Sequence, residues 1–303
     1  MINVKFQMAR HAFTVGQRFH RRRLDELLFD RFRSLSKAYI RSVVKDGGCE
    51  LNGYGANSGE VVREGDYVEI EVDETRESGM KPEDISLDVL YEDSTLLIVN
   101  KPAGMLVHPT NFERNGTMLN AMTFYLNSSQ DRDEEFVRPH LIHRLDRETS
   151  GVLIAAKDQR SSRVLCSHFK RGHIEKEYTA IVDGIVAKNE GVIEMPIGRN
   201  AEKKIWEVME EGKPSVTNFK VMRRLRSKTH IKLEAVTGRT NQLRIHCSAI
   251  GHPILGDEVN GGSSFRRMCL HASRTEFWHP NGSKRMSIES RPDFLDDEDV
   301  SDL

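Results

Sequence analysis

Paired cysteines, membrane-length apolar runs and nucleotide-binding loops are all missing from this chain of 303 residues. Its four cysteines are far apart and form no CxxC pair, which favours free thiols in a reducing cytosol over a disulfide framework or a zinc site. No apolar run approaches the ~18 residues that a membrane span needs, and residues 1–17 lack the apolar core of a secretory signal. Neither GxxxxGKS/T nor GxGxxG occurs, so a nucleotide cofactor is not expected.

The net charge is only −1 although 30% of the residues are charged, and this near balance hides a strong segregation of charge along the chain. Residues 1–47 contain eleven Lys and Arg against four Asp and Glu, a net charge of +7. Residues 73–93 contain two against eight (−6), and residues 291–303 contain one against six (−5). A basic head on a near-neutral protein indicates a local contact with a polyanion, although a solvated charged helix has the same signature.

The N-terminal part of the sequence predicts a small module of two helices and several short strands. Apolar residues recur at helical spacing in two segments, and Ser36 is a candidate N-cap of the second helix. The expected helices are 23–32 and 36–46, and the expected strands are 49–52 and 67–72. The first eighteen residues show no periodicity, and residues 1–21 are expected to form a flexible arm.

Three stretches of this module, RRLDELLFDRF, SKAYIRSVVKDGGCELNG and VREGDYVEI, follow one another in the order and spacing of a known domain. They resemble the small RNA-binding domain first seen in the fourth ribosomal protein of the small subunit, and the resemblance covers residues 22–72. It implies a small α/β domain whose paired helices present basic side chains to RNA phosphates, a salt-dependent contact without base specificity. The residues implied to contact RNA are Arg21, Arg22, Arg23, Lys37, Arg41 and Lys45.

The remainder of the chain predicts a second, larger domain of the α+β class over residues 87–290. Many strand-like segments with few intervening helices favour a large mixed or antiparallel sheet. Residues 73–86 are polar and acidic and are expected to be a linker, and residues 291–303 are expected to be a disordered acidic tail. The expected strands are 89–91, 96–99, 151–156, 175–183, 216–225 and 229–236, and the expected helices are 116–126, 158–169 and 240–250.

Four segments of the second domain place polar and charged residues beside glycines and apolar strands. They are NKPAGMLVHPT (100–110), HRLDRETSGVLIAAK (143–157), KEYTAIVDG (176–184) and TGRTNQLRIHCSAIGHPILGD (237–257). In the second of them Asp146 follows Arg144 just before an apolar strand, and the guanidinium is expected to keep the carboxylate ionised at pH 7. Such a carboxylate is a nucleophile or an electrostatic stabiliser, or it is half of a structural ion pair that fixes the loop.

In this order the four segments resemble the catalytic domain of the RluA family of RNA pseudouridine synthases, over residues 87 to about 280. The resemblance implies a central active-site cleft in which Asp146 attacks the uridine, at the ribose or at the ring. Tyr178 would stack against the target base and help to remove the proton from carbon five, although a tyrosine is a weak base near pH 7. Arg244 would form the ion pair that holds Asp146 ionised, and Arg144 would enter the space left by the flipped-out nucleotide. Because isomerisation changes no oxidation state, no cofactor is implied.

The other polar residues of these motifs are expected to bind the substrate. Lys101 and His108 either line the cleft or satisfy the hydrogen bonds of their own loop. Asn241 stands where many members of the family have histidine, and Val259 and Asn260 stand where a tyrosine is frequent, which affects the expected substrate preference more than activity. The histidines occur singly, without an HxxxH or HExxH pair, so no metal is expected. The expected substrate-binding residues are His143, Arg239, Asn241, Gln242, Lys101 and His108.

The sequence therefore predicts an RNA-uridine isomerase with a separate RNA-binding domain. Large-subunit ribosomal RNA is the expected substrate, with transfer RNA left open, and the protein is expected to be cytoplasmic, monomeric and without membrane partners. The alternative is an inactive RNA-binding or ribosome-assembly factor on the same fold, although decay should have erased Asp146, Tyr178 or Arg244, and all three are present. A hydrolase of a glycosidic bond would need two flanking carboxylates, and only Glu148 is near Asp146.

Overall fold

The computed structural model describes residues 8–32, 35–73, 81–110, 112–128 and 136–296. The chain divides into two compact units, a first unit of Met1–Ile85 and His108–Arg138 and a second unit of Ser86–Val107 and Pro139–Leu303. Residues 108–138 therefore group with the N-terminal residues and not with a continuous domain over 87–290. One reason is Arg138, whose guanidinium donates hydrogen bonds to the carbonyls of Phe32 and Leu35 at 3.3 and 2.6 Å.

Among its described residues, the first unit contains a four-stranded sheet, a two-stranded ribbon and three α-helices. Its strands are β1 (Met8–Thr14), β2 (Arg22–Arg23), β3 (Cys49–Leu51), β4 (Tyr54–Gly55), β5 (Val61–Val62) and β6 (Tyr67–Asp73), and its helices are α1 (Leu24–Arg31), α2 (Lys37–Lys45) and α3 (Met118–Asn127). The sheet order is β1-β6-β3-β4, all antiparallel, and β2 pairs with β5. The four elements expected between residues 23 and 72 are present as α1, α2, β3 and β6.

The core of the first unit consists of the apolar positions that predicted its helices. Leu24 and Leu28 of α1 and Ile40 of α2 are fully buried and pack in one cluster with the inward residues of β6. Ser36 caps α2, because its hydroxyl oxygen accepts a hydrogen bond from the Tyr39 N–H at 3.1 Å. Apolar spacing and a serine cap are therefore sufficient to place both helices within a residue or two of their ends.

Strand β1 lies where the sequence suggested a flexible arm over residues 1–21. It pairs antiparallel with β6 without interruption, from Met8 opposite Asp73 to Thr14 opposite Tyr67. The arm prediction is wrong for residues 8–14, and residues 1–7 lie outside the described part of the chain. No apolar alternation marked this strand, because its half-buried positions are Ala9, His11 and Phe13 and the remaining four are exposed.

The acidic linker expected over 73–86 is partly fixed in the structure. Its first residue ends β6, and residues 74–80 lie outside the described part of the chain. After them, the Lys81 carbonyl accepts a hydrogen bond from the Asn120 side chain of α3 at 2.8 Å. The Glu83 N–H donates to the Asn120 carbonyl at 3.3 Å. The end of this segment is therefore held along α3 within the first unit.

The second unit is built around one ten-stranded sheet. Its strands are β7 (Asp88–Glu92), β8 (Leu96–Lys101), β9 (His140–Leu141), β10 (Ser150–Ala156), β11 (Glu175–Asp183), β12 (Glu190–Glu194), β13 (Ile197–Asn200), β14 (Ile205–Val208), β15 (Val216–Arg224), β16 (Lys228–Ala235), β17 (Leu270–Trp278) and β18 (Arg285–Glu289), and its helices are α4 (Gln159–Lys170) and α5 (Gln242–Ala249). The main order is β12-β15-β16-β11-β17-β10-β8-β7, with β18 beside β17, β9 beside β10, and β13 paired with β14 alone. The expected α+β class with a large mixed sheet is confirmed. No helix of the described residues has the length and apolarity to span a membrane.

Among the described strands, the one parallel contact of this sheet joins β10 to β17 and so connects its two halves. It spans two residue pairs, Ser150 opposite His271 and Gly151 opposite Ala272. Gly151 has a φ of +113°, and a Cβ at this position would lie less than 3.0 Å from backbone atoms of Ala272. Only glycine permits this approach of the two strands.

The C-terminal segment is docked where a disordered tail was expected from residue 291 onward. Residues Asp293–Asp296 form a short 3-10 helix, and Phe294 within it is fully buried. The Arg267 guanidinium donates to the first carboxylate of this helix at 2.7 Å and lies 5.3 Å from the centre of the Phe294 ring. The tail prediction is therefore wrong for 291–296, because one aromatic anchor outweighs the acidic composition, and residues 297–303 lie outside the described part of the chain.

The junction between β10 and β17 predicts a large effect of one added methyl group. We expect Gly151→Ala to lower the free energy of unfolding by at least about 4 kcal/mol, because the two backbones must separate to admit the Cβ. Gly172→Ala is the matched control, since Gly172 also has a positive φ (+71°) but open space around its Cβ position, and it should lose only about 1–2 kcal/mol. Urea unfolding of both variants measures the difference, and equal losses would contradict the close-approach argument.

Candidate active site

A cavity of about 280 Å³ in the second unit brings together three of the four motifs. It is lined by the loop 143–149 before β10, by Tyr178 of β11 and by the segment 235–244, which leads from β16 into α5. Eight of the ten residues expected in the active site line it. They are His143, Arg144, Asp146, Tyr178, Arg239, Asn241, Gln242 and Arg244.

Asp146 is the acidic residue of this cavity, and it is largely buried. Within the described residues its carboxylate has no hydrogen-bonding or ion-pair partner. Burial raises the pKa of the Asp146 carboxyl above its ordinary value, although the charges of Arg244, Arg144 and Lys101 act in the opposite direction. Desolvation is therefore the larger effect on the pKa of Asp146, and the neighbouring cations oppose it. The result is a carboxylate that is more basic than one in water.

Arg244 of α5 pairs with Asp257 and not with Asp146 as expected. Its Nε and Nη2 atoms donate to the two oxygens of Asp257 at 2.7 and 2.6 Å, and the Asp257 side chain is only 1% exposed. These hydrogen bonds raise the pKa of the Arg244 guanidinium, which stays charged. Arg244 therefore acts on Asp146 through space, as the strongest of the charges that lower the pKa of that carboxyl.

Tyr178 forms one wall of the cavity. The residue is 9% exposed and lies opposite Leu233 of β16 and Ala272 of β17. A β-bulge between Glu177 and Tyr178 shifts the register against β17, and bulges re-aim the side chains beside them. Burial and, to a smaller extent, the charge of Asp146 raise the pKa of the Tyr178 hydroxyl. The hydroxyl is therefore protonated at neutral pH, which suits a stacking surface better than a proton acceptor.

Two residues expected to bind the substrate instead hold the wall of the cavity. The Nε2 atom of His143 accepts a hydrogen bond from the Ile154 N–H at 3.2 Å, and burial lowers the pKa of His143 to about 3, which leaves the ring neutral. Gln242, the first residue of α5, accepts a hydrogen bond from the Thr237 hydroxyl at 2.7 Å and donates one to the Val216 carbonyl at 2.9 Å. The Nε2 atom of His143 and the side-chain amide of Gln242 are therefore engaged within the protein.

Lys101 lies outside the cavity and is fully buried. Its ammonium group donates to the carbonyls of Pro102, Met105 and Arg147 at 2.7, 2.7 and 2.9 Å. Arg147 directly follows Asp146, so this lysine fixes the loop that carries the carboxylate. Burial lowers the pKa of Lys101 to about 7. The sequence left two roles open for Lys101, lining the cleft or satisfying the hydrogen bonds of its loop, and the structure shows the second.

The remaining expected residues lie around the mouth of the cavity or outside it. Arg144 is exposed, and the Arg239 guanidinium donates to a backbone carbonyl at 3.3 and 3.2 Å. Asn241 has a φ of +54°, a conformation that asparagine tolerates well, and its Oδ1 accepts a hydrogen bond from Arg244 at 3.4 Å. His108 belongs to the first unit.

Asp257 is the main site residue that the sequence did not reveal. It ends the GHPILGD stretch, 13 residues after Arg244. The one feature of the sequence that could have indicated this pair is that Asp257 belongs to the same motif as Arg244. Asp146 offered a competing partner, and separation along the chain does not decide which carboxylate a guanidinium will meet in space.

A second and larger depression, of about 530 Å³, lies across β12, β15, β16, β11 and β17. None of the ten expected active-site residues lines it. Its charged side chains pair with one another across strands, for example Lys232 with Glu177 at 2.5 Å. This surface is a solvated, charge-paired sheet face.

The buried ammonium of Lys101 predicts a pH-dependent loss of stability on its removal. Lys101→Met leaves three carbonyls without their donor and should lower the free energy of unfolding at pH 7 by about 3 kcal/mol or more. Because the pKa is about 7 in the folded chain and ~10.4 in the unfolded chain, the contribution of Lys101 to stability rises with pH between these values. The difference from wild type should therefore be larger at pH 9 than at pH 7.

Urea unfolding at the two pH values measures this difference. Lys157→Met, which removes a lysine paired with Glu92 at the surface of the same unit, is the control and should change stability by less than about 1 kcal/mol at both. A Lys101→Met effect that is small, or that does not grow between pH 7 and pH 9, would contradict the assigned role.

Comparison with known proteins shows which family this chain resembles. The sequence model of the family described as RNA pseudouridylate synthase matches residues 95–249. An uncharacterized RNA pseudouridine synthase of Aquifex aeolicus (strain VF5) is 37% identical over 285 residues, which cover 88% of this chain and 89% of that protein. Ribosomal large subunit pseudouridine synthase D of Pseudomonas aeruginosa is 32% identical over 292 residues, 90% of each chain.

Among solved structures, human RNA pseudouridylate synthase domain containing 1 is similar to this chain with a TM-score of 0.60 and 26% identity. The similarity covers 71% of this chain and 88% of the human chain. The family model matches half of the chain, and both relatives are more than 30% identical over most of its length. This chain therefore belongs to the RNA pseudouridylate synthase family, whose members are isomerases that act on RNA.

Proposed function

We propose that this protein converts uridine to pseudouridine at defined positions of large-subunit ribosomal RNA, with Asp146 as the reacting carboxylate. The observation that carries this proposal is the state of Asp146, which is largely buried in the cavity and has no direct partner within the described residues. A carboxylate that only fixed a loop would have hydrogen-bonding partners, as Asp257 has. The Pseudomonas aeruginosa relative, which is named for the large ribosomal subunit, supports the choice of substrate.

The proposed reaction is an isomerisation whose atoms and electrons balance without an external reagent. The bond from N1 of the uracil to C1′ of the ribose breaks, the base turns, and a bond from C5 to C1′ forms. C5 loses a proton and N1 gains one. Asp146 supplies an anionic oxygen that attacks either the ribose or the ring, and Tyr178 gives the base a flat surface while it turns. No cofactor is needed because no oxidation state changes.

The size of the cavity supports extrusion of a single nucleotide from the RNA. Its volume of about 280 Å³ is near the lower end of small-ligand pockets, which run from ~300 to 1,000 Å³. Enzymes that react with a base in structured nucleic acid take that base out of its stack. Arg144 is exposed at the mouth of the cavity, where its guanidinium would occupy the place that the base has left.

The first unit supports a separate contact with RNA phosphates. Lys37, Arg41 and Lys45 recur every four residues of α2 and so share one face of the helix. Arg41 and Arg23 both donate to the buried carboxylate of Asp25, at 3.1 and 3.0 Å, which holds the two guanidinium groups side by side. This arrangement supports the RNA-binding role implied for residues 22–72. The proposed contact residues are Arg21, Arg22, Arg23, Lys37, Arg41 and Lys45.

The central prediction is that isomerisation depends on Asp146 alone among the carboxylates of its loop. Asp146→Asn should lower turnover by at least about 1,000-fold, because the amide cannot act as an anionic nucleophile, while RNA affinity stays unchanged. Release of tritium from RNA labelled at C5 of uridine measures the reaction, and filter binding measures affinity. Glu148→Gln is the matched control and should stay within about tenfold of wild type.

Two outcomes would contradict this assignment. Turnover that survives Asp146→Asn would remove Asp146 from the chemistry. Equal losses in Asp146→Asn and Glu148→Gln, with free uracil as the product, would instead indicate a two-carboxylate hydrolase. If the wild-type protein binds RNA tightly but shows no turnover, the result would support the alternative function of an inactive RNA-binding factor.

The basic face of α2 predicts a change in the salt dependence of RNA binding. Replacing Lys37, Arg41 and Lys45 by Gln should lower RNA affinity and reduce the slope of log K against log salt by about 2, because about three phosphate contacts are lost. Replacing Arg10, Arg18 and Arg63, three exposed cations of the same unit outside α2, is the control with equal charge change. Similar slopes for the two triple variants would contradict a localised contact.

A further inference from the structure

We propose that an arginine-lined cavity of the second unit, separate from the catalytic cavity, binds a phosphate group of the RNA backbone. This inference rests on the proposed function, which takes RNA as the substrate, and it adds a contact outside both the catalytic cavity and the first unit. The arginine-lined cavity has a volume of about 490 Å³ and, within the described residues, shares no lining residue with the catalytic cavity. Its charged lining residues are Lys101, Arg266, Arg267, Arg291 and Asp293.

The arginine-lined cavity lies at the edge of the ten-stranded sheet from which the catalytic loop also leaves. Ser150, which lines it, begins β10 and directly follows the loop 143–149. His271, opposite Ser150 on β17, directly precedes Ala272, the residue opposite Tyr178. Because neighbouring residues of a strand point to opposite faces, the side chains of His271 and Tyr178 lie on opposite faces of the sheet. The two cavities therefore flank the same loop, and one RNA strand that crosses this edge can contact both.

The balance of charge distinguishes this cavity from the 530 Å³ depression. Four cations and one carboxylate line the arginine-lined cavity, whereas five glutamates and four cations line the depression. Lys101 is fully buried and donates to three carbonyls, so it adds charge and no contact with a ligand. Arg266 and Arg291 are exposed. Cations concentrated around one cavity attract a polyanion, and the planar guanidinium group matches the oxygens of a phosphate.

Arg267 is a fixed charge in the wall of this cavity. Its Nη2 atom donates to the Ser150 hydroxyl at 2.5 Å, and that hydroxyl lies 2.7 Å from Nδ1 of His271. The Nε2 atom of His271 lies 3.1 Å from the Ser290 carbonyl, which can only accept, so Nε2 carries the ring proton and Nδ1 accepts from Ser150. Burial lowers the pKa of His271 to about 4, which leaves the ring neutral. These hydrogen bonds orient Arg267 before any ligand arrives.

Carboxylates of the short C-terminal helix now pair with two of the arginines. The Nη1 atom of Arg267 donates to Asp293 at 2.7 Å, and Arg291 pairs with Asp296. The Asp293 side chain is 60% exposed, so its oxygens can leave the arginine for water when a phosphate takes their place. Phe294 is fully buried and keeps the helix in position when this happens. Asp293 is therefore an internal competitor of the RNA phosphate.

The volume of the arginine-lined cavity suits a piece of RNA backbone better than a single ion. At about 490 Å³ it falls in the range of small-ligand pockets, ~300 to 1,000 Å³, and it is larger than the catalytic cavity. It therefore has room for a phosphate with parts of the riboses on either side.

Removal of the two exposed arginines tests the contact. Arg266→Gln combined with Arg291→Gln should lower affinity for an unmodified transcript of large-subunit ribosomal RNA at least about fivefold and reduce the slope of log K against log salt by about 1. Both side chains are exposed, so the fold should be kept. Lys188→Gln combined with Arg226→Gln removes two exposed cations of the same unit outside both cavities and should stay within about twofold of wild type. Filter binding over a range of salt concentrations measures these values.

Asp293→Asn provides a second variant with an effect of opposite sign. It removes the competing carboxylate and should raise affinity for the same transcript about two- to fivefold at low salt, where electrostatic contacts are strongest. A loss of folding could only lower affinity, so a rise separates competition from a structural role. Equal affinities of the two double variants, or an affinity that stays the same or falls in Asp293→Asn, would overturn the proposal.

Ethylation interference on the RNA identifies the phosphate that is bound. Wild-type protein should fail to bind RNA ethylated at one phosphate whose modification no longer matters to the variant that lacks Arg266 and Arg291. Identical interference patterns for the two proteins would contradict a phosphate contact in this cavity.

Inorganic phosphate distinguishes an RNA contact from a site for a free anion. At about 1 mM it should leave RNA binding of the wild type unchanged, because a phosphate outside the chain lacks the other contacts of the RNA. Displacement of RNA from the wild type, but not from the double arginine variant, would assign the cavity to a free anion and overturn the proposal. The binding measurements need no turnover, so a protein that binds the transcript and fails to isomerise uridine would overturn the proposed function alone.

Discussion

The arrangement of this enzyme depends on a parallel contact of two residue pairs, where β10 meets β17 in the middle of the ten-stranded sheet. The loop that carries Asp146 enters β10 at this point, and Tyr178 on β11 lies opposite Ala272, the residue that Gly151 touches on β17. The distance between the carboxylate and the aromatic wall is therefore set by backbone packing of two strands, with no room for a side chain between them. The glycine of the HRLDRETSG motif serves the geometry of the site without lining the cavity.

Electrostatics then decide how the carboxylate behaves. Burial makes Asp146 more basic, and three cations moderate this effect from different elements of the second unit. None of these cations forms a contact pair with it among the described residues. Lys101 is engaged by three carbonyls, Arg244 is engaged by Asp257, and Arg144 is exposed. A buried carboxylate near cations that are already occupied keeps its lone pairs free of contacts within the protein. The same partners hold the loop and helix that surround it.

Much of this organisation could be predicted from the sequence, and the errors have physical causes. Apolar periodicity placed α1, α2, α4, β10 and β11, and three of the four motifs meet in one cavity, as they were expected to. Strand β1 was not predicted, because its pairing with β6 is long-range and a histidine interrupts the alternation of apolar residues along it. The short C-terminal helix was not predicted, because the acidic composition of this segment indicated disorder whereas burial of a single phenylalanine holds it in place. The partner of Arg244 and the burial of Lys101 could not be derived, because a motif lists which charged residues are present and not which pairs form.

The measurement that tests the central claim most directly is a pseudouridine map of total cellular RNA, read by carbodiimide-dependent stops in primer extension. Cells that lack this gene are compared with cells that carry the wild-type gene or the Asp146→Asn form. The account predicts that discrete stops in large-subunit ribosomal RNA disappear on deletion, return with the wild type and stay absent with Asp146→Asn. Stops that return equally with both forms would contradict a carboxylate-dependent isomerisation, and a map that deletion leaves unchanged would contradict the proposed substrate.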